Sequence, residues 1–191
     1  MARTMSPAPA AEGLPTAAEV VRFWHDAGPE RWFRRDDAFD SGFRDRFLSA
    51  HEAAARGDLA RWESDAQGML ALVILLDQFP RNAFRGQPRV HATDAQALAL
   101  ARHAIDAGFD RAVPESLRRF FYLPFMHSER LEDHDRAVAL AQTLTDDTLH
   151  WAQHHREVLR RFGRFPHRNA LLGRHSTPDE LRFLQEGGFG G

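Results

Sequence analysis

Thr16-Ala17-Ala18-Glu19-Val20-Val21-Arg22-Phe23-Trp24-His25-Asp26-Ala27-Gly28-Pro29 spells out a complete helix with its start and stop. The Thr hydroxyl and the Glu carboxylate three residues on can satisfy each other's orphan amides as a capping box. Gly28 suits the left-handed residue that ends a helix, and Pro29 makes the stop firmer. The same punctuation recurs along the chain. Thr93-Asp94-Ala95-Gln96 and Thr177-Pro178-Asp179-Glu180 also fit the capping box, with Pro178 at the first helical position, where its missing N–H costs nothing. Gly57, Gly108 and Gly163 supply further stops. Between these marks the apolar period is near 3.6, as in Phe39, Phe43, Phe47 and Ala50, or Leu98, Ala101, Ile105 and Phe109. There is no run of alternating β-branched residues and no Asn-Gly or Asp-Gly hairpin signal. Helices are predicted over 17–27, 39–56, 59–77, 94–107, 114–122, 131–143, 147–162 and 178–186. The expected fold is all-α, with roughly eight helices stacked as antiparallel hairpins.

The 191 residues suit one domain with a sizeable core, placed at 14–186. Residues 1–13 are rich in Ala and Pro and read as a disordered tail rather than a secretory signal; 187–191 reads as a flexible Gly-rich end. No cysteine is present, which excludes a disulfide scaffold, thiolate zinc sites and a thiol nucleophile. All 25 basic residues are arginine, so Schiff-base chemistry and a P-loop lysine are excluded too. A formal charge of −2 offers no field for nucleic acid or an anionic membrane. The longest apolar run, Met69–Leu76, is far short of the ~20 residues a bilayer span needs. The expectation is a soluble, cytoplasmic protein.

Trp24, Trp32, Phe33, Trp62 and Trp151 are expected to anchor helix packing, and Arg118 and Arg119 to lie on a solvated face. Three segments break the helical grammar while being dense in polar and aromatic residues. In Leu76-Asp77-Gln78-Phe79-Pro80-Arg81-Asn82, Pro80 is expected to push Phe79 out of the α region and leave Arg81 and Asn82 on a turn. In Phe121-Tyr122-Leu123-Pro124-Phe125-Met126-His127-Ser128-Glu129, Pro124 is expected to act likewise. The third is Gly163-Arg164-Phe165-Pro166-His167-Arg168-Asn169, which echoes the Phe-Pro-Arg-Asn of the first.

These three segments, with Trp32-Phe33 and Phe39-Asp40, resemble the bacterial and eukaryotic family called domain of unknown function 924, with similarity from about Val20 to Leu184. The resemblance implies a tetratricopeptide-like α-α superhelix and brings no activity. Family members tend to carry Gln where His134 stands, so no role is carried onto it.

Three readings of the segments stay open. In the first, a binding module holds a small anionic ligand or an acidic peptide terminus through Asp77, Gln78, Arg81, Asn82, Arg164, His167, Arg168 and Asn169, the arginines offering planar forks to carboxylate or phosphate. In the second, an enzyme works on an anionic small molecule with His127 or His155 as general base and Glu129 orienting it. That reading requires the three segments to converge. In the third, Phe79, Phe125 and Phe165 plug the core and the arginines only satisfy helix ends and buried acids. Ser128 beside His127 is no nucleophile signature. His150 with His154, and His127, Glu129, Asp133 and His134, are the nearest approaches to a metal-ligand set, and neither is complete. No metal and no cofactor is expected.

Overall fold

The capping box at Thr16 forms as its residue types dictate. Glu19 N–H donates to Thr16 Oγ1 at 3.3 Å while Thr16 N–H donates to Glu19 Oε2 at 2.8 Å. It opens α1 (Ala17–Ala27), which ends at Gly28 with φ 71°. The computed structural model describes residues 13–188, so residues 1–12 of the tail expected at 1–13 and residues 189–191 of the Gly-rich end expected at 187–191 lie outside the described residues. A short α2 (Pro29–Trp32) leads to α3 (Asp37–Arg56), begun by the Asp36 carboxylate on the Ala38 and Phe39 amides. After a 3-10 turn over Ala60–Ser64, Asp65 caps α4 (Ala66–Val73). Gly68 sits so close to that turn that a Cβ would stand 2.1 Å from Trp62 O. Then come α5 (Phe79–Ala83), α6 (Asp94–Asp106), α7 (Glu115–Met126), α8 (Leu131–Ala141), α9 (Thr148–Phe162) and α10 (Pro178–Gln185), the last opened by the capping box at Thr177. The described residues contain helices and no strand, so the fold is all-α. None of these helices is long and apolar enough to cross a membrane.

Two prolines do not end helices as expected. Between α4 and α5, residues Ile74–Gln78 form a π turn, with Phe79 N–H donating to Ile74 O, and the chain runs helically through Pro80. Phe79 keeps helical angles (φ −52°, ψ −49°), and Arg81 and Asn82 lie on α5 rather than on a loop. The physical reason is that the carbonyls a proline would orphan are taken by side chains. His51 Nδ1 bonds Leu75 O at 2.8 Å, Thr93 Oγ1 donates to Leu76 O at 2.6 Å, and Arg81 Nη1 donates to Asp77 O at 2.7 Å. Thr93 therefore spends its hydroxyl on α5's approach and not on its own helix, and the capping box read at Thr93–Gln96 does not form. Pro124 sits inside α7, which continues to Met126 because Leu117 and Phe120–Met126 are buried. One lost hydrogen bond costs less than exposing that surface.

The main core is aromatic. Phe43 lies against Phe23, Trp24, Phe39, Phe47 and Phe79, and Phe120 packs edge-on to Trp24 and Trp32. Trp24, Trp32 and Trp62 are buried as expected. Phe33 and Trp151 are not core anchors: 55% and 42% of their surface is exposed. Arg119, expected on a solvated face, is buried instead, with its guanidinium on Asp147 and 5.0 Å from the Phe33 ring. In the second half α6 packs on α7, α7 on α8 and α8 on α9, which brings the end of α7 against the segment that follows α9.

Candidate functional site

The π turn places Asp77, with no exposed surface, at the centre of a polar junction. Its Oδ2 accepts from Gln78 Nε2 at 2.6 Å, and its Oδ1 lies 2.7 Å from His127 Nδ1 and 3.3 Å from Arg81 Nη1. The same Arg81 nitrogen donates to Asp94 Oδ1 at 2.8 Å, and Asp94 Oδ2 is 3.2 Å from His91 Nδ1. Two imidazole–aspartate dyads thus share one guanidinium. Arg168, delivered by the 3-10 turn Pro166–Arg168, donates through Nη1 to His127 O at 2.9 Å and stands 3.8 Å from Asp94 Oδ2. Its guanidinium lies 4.5 Å from the centre of the Phe165 ring. The three segments singled out in the sequence therefore do meet: the first gives Asp77, Gln78 and Arg81, the second His127, the third Arg168.

The remaining candidates serve elsewhere. Asn82 donates to Asp40, beside Arg85. Arg164 makes a two-pronged pair with Glu180 at 2.7 and 2.9 Å, and Asn169 donates to Ser176 and to the same Glu180, so both tie α10 down. Glu129 is not the partner of His127. It accepts from both Arg174 terminal nitrogens at 2.6 and 2.9 Å and from Phe165 N–H at 2.9 Å. The carboxylate that orients His127 is Asp77. His155 donates from Nδ1 to Trp151 O, 2.7 Å away, beside the Phe165 ring. His167 also packs against Phe165. Asp94 and His91 were missed because Asp94 reads as the first residue of a capped helix. The spacing His91-x-x-Asp94 was the available signal.

Burial pushes the Asp77 carboxyl up, yet the Arg81 charge and the His127 hydrogen bond outweigh it and keep the group below the ordinary carboxylate value. His127 is lowered by burial and by Arg81, against the pull of Asp77, which leaves it neutral at pH 7. His155 and His167 are both pushed down to about 3, chiefly by burial. Arg168 falls to about 10 through burial and the neighbouring Arg81 charge. Among the described residues no group of three or more His, Asp or Glu is arranged to hold a metal ion. Two open surface grooves, of about 340 and 220 Å³, lie along α1 and include none of these residues.

A comparison with curated proteins found no match. Among solved structures, a protein of unknown function from Agrobacterium tumefaciens, ATU0120, is similar at 53% identity with a TM-score of 0.88, over 90% of this chain and 97% of that one. The family described as "Bacterial protein of unknown function (DUF924)" matches residues 20–188. The chain belongs to the DUF924 family.

Proposed function

We propose that the junction of the three segments binds a small anion, a phosphate or carboxylate group, on Arg168 with Arg81 behind it. The observation that carries this reading is the contrast between Arg168 and its neighbours. Arg81, Arg164 and Arg174 each have a carboxylate oxygen within 3.3 Å. Arg168 is only 7% exposed, yet its nearest carboxylate stands at 3.8 Å and its one charge-free partner is a backbone carbonyl. Its Nε, like Arg81 Nη2, is buried with no hydrogen-bond partner among the described residues. A guanidinium out of water whose nearest carboxylate stands at 3.8 Å is only partly compensated, and a bound oxyanion would supply the close charged partner it lacks. The site is packed rather than open, which suits an occupant as small as a phosphate, or the carboxylate end of a peptide. The packing of α6 through α9 in sequence supports reading the scaffold as a tetratricopeptide-like stack that presents this group.

Thermal melts in inorganic phosphate and in acetate test the reading. Wild type should rise in midpoint, by the equivalent of ~2.7 kcal/mol when ligand reaches 100 times Kd. Arg168→Ala should lose the rise, while Arg164→Ala keeps it, because Arg164 is committed to Glu180. Equal rises in Arg168→Ala and wild type would defeat the proposal.

A further inference from the structure

Anion binding makes no use of the imidazole of His127, whose backbone carbonyl Arg168 holds. His127 Nδ1 faces Asp77 Oδ1 at 2.7 Å, and a carboxylate held ionised can only accept, so the ring carries its proton on Nδ1 and its lone pair on Nε2. Asp77 cannot turn away, since Gln78 and Arg81 hold it from two other directions. Nε2 lies across the ring from Asp77, no hydrogen bond among the described residues takes it, and the side chain keeps 14% of its surface exposed. Arg168 grips the backbone carbonyl of this same residue. A buried Asp–His–Arg set is poor value for stability compared with apolar packing, and a π turn inside a helix is itself a feature frequent at functional sites.

Resting on the anion-binding reading, we propose that His127 is a catalytic base whose Nε2 takes a proton from a small carboxylate or phosphate compound held at Arg168. In this step a C–H or O–H bond next to the anionic group breaks, and its electron pair stays on the substrate. The proton goes to His127 Nε2, where Asp77 stabilises the imidazolium. The guanidinium of Arg168 stabilises the charge left behind. Return of the proton to another substrate atom completes an isomerisation, and no further reactant is needed.

Diethyl pyrocarbonate, which acylates only unprotonated imidazole, reads this lone pair directly when the modified histidines are located by peptide mass spectrometry. In wild type His127 should react, with a pH–rate midpoint below 6.5. Inorganic phosphate at the concentration that saturates the melt shift should slow that reaction about ten-fold or more while leaving the exposed His103 unaffected. Asp77→Asn should lower the midpoint further and slow the reaction, because the carboxylate raises the basicity of the ring. If that variant does not fold, phosphate protection in wild type decides alone. A His127 that does not react, or that reacts equally with and without phosphate while phosphate still raises the melt, overturns the base and leaves the anion site standing. Phosphate that gives no melt shift in wild type overturns the anion site and, with it, this proposal.

Discussion

The aromatic core around Phe43 and the polar junction around Arg168 meet at α5 and α7 and are built on opposite principles. In the first, Trp24, Phe43, Phe47, Phe79 and Phe120 are fully buried and meet ring to ring, so stability comes from area and needs no directional partner. In the second, the apolar cluster is small, Val158, Leu159 and Phe165 with Phe162 and Phe183 beside it. The chain from 163 onward is held instead by Glu129–Arg174, Arg164–Glu180 and Arg168–His127. Charged ties of this kind repay little more than their own desolvation. The difference is one of means: the half that could have been packed with leucine carries arginine, histidine and aspartate.

Three measurements would break or sharpen the contrast. The largest effect belongs to the aromatic half, where Phe43→Ala should cost about 3–5 kcal/mol in chemical denaturation, as expected for emptying a closed aromatic cavity. A loss near 1 kcal/mol would mean that the two halves are not so unlike. The next effect is acid sensitivity of the polar half. His155 and His167 have folded values of about 3, well below the 6.5 of an unfolded histidine. Between pH 6.5 and 4.5 the unfolded chain binds protons that the folded one does not, so stability is full above 6.5 and falls as pH drops. Each of the two histidines contributes a slope approaching about 1.4 kcal/mol per pH unit. His155→Asn should flatten the unfolding free energy against pH by one proton in that window, and Phe43→Ala should leave the slope unchanged. Below pH 4.5 Asp77, Asp94 and Glu180, all lowered by their arginines, add to the same trend. The smallest effect is Arg174→Ala, which removes the half-buried pair with Glu129 and should cost about 1 kcal/mol. Its mark should be local: amide hydrogen exchange should quicken over 163–188 and not in α3, and high salt should mimic it in wild type.

The helical frame could be read from the chain because its signals are local. Thr16, Gly57, Gly163 and Thr177 act through bonds to residues within five positions, so α1 is found at its full length and α9 within a residue. Pro80 and Thr93 misled for the opposite reason. Each is decided by a partner far along the chain, Thr93 by Leu76 and the π turn by His51, and spacing carries no trace of such pairs. The candidate site was legible as three segments but not as roles. Arg164 and Arg168 look alike in sequence, and only the position of Glu180 and Asp94 gives one a two-pronged carboxylate partner and leaves the other with its nearest carboxylate 3.8 Å away. Likewise Glu129 stands two residues from His127, yet the carboxylate that serves it comes from fifty residues earlier.

The π turn at Ile74–Gln78 has a consequence for how this helix tolerates change in length. A turn that closes on the fifth residue rather than the fourth holds one residue more than its α-helical neighbours. Deleting a single residue there would let the helix close normally and would leave α5 close to its present rotation, because the turn already absorbs its extra residue. Arg81 would keep Asp94, and Asn82 would keep Asp40. The cost of such a deletion would fall inside the turn, on the placing of Asp77 and Gln78, so this stretch works as a local store of one spare residue that leaves the helix beyond it in phase.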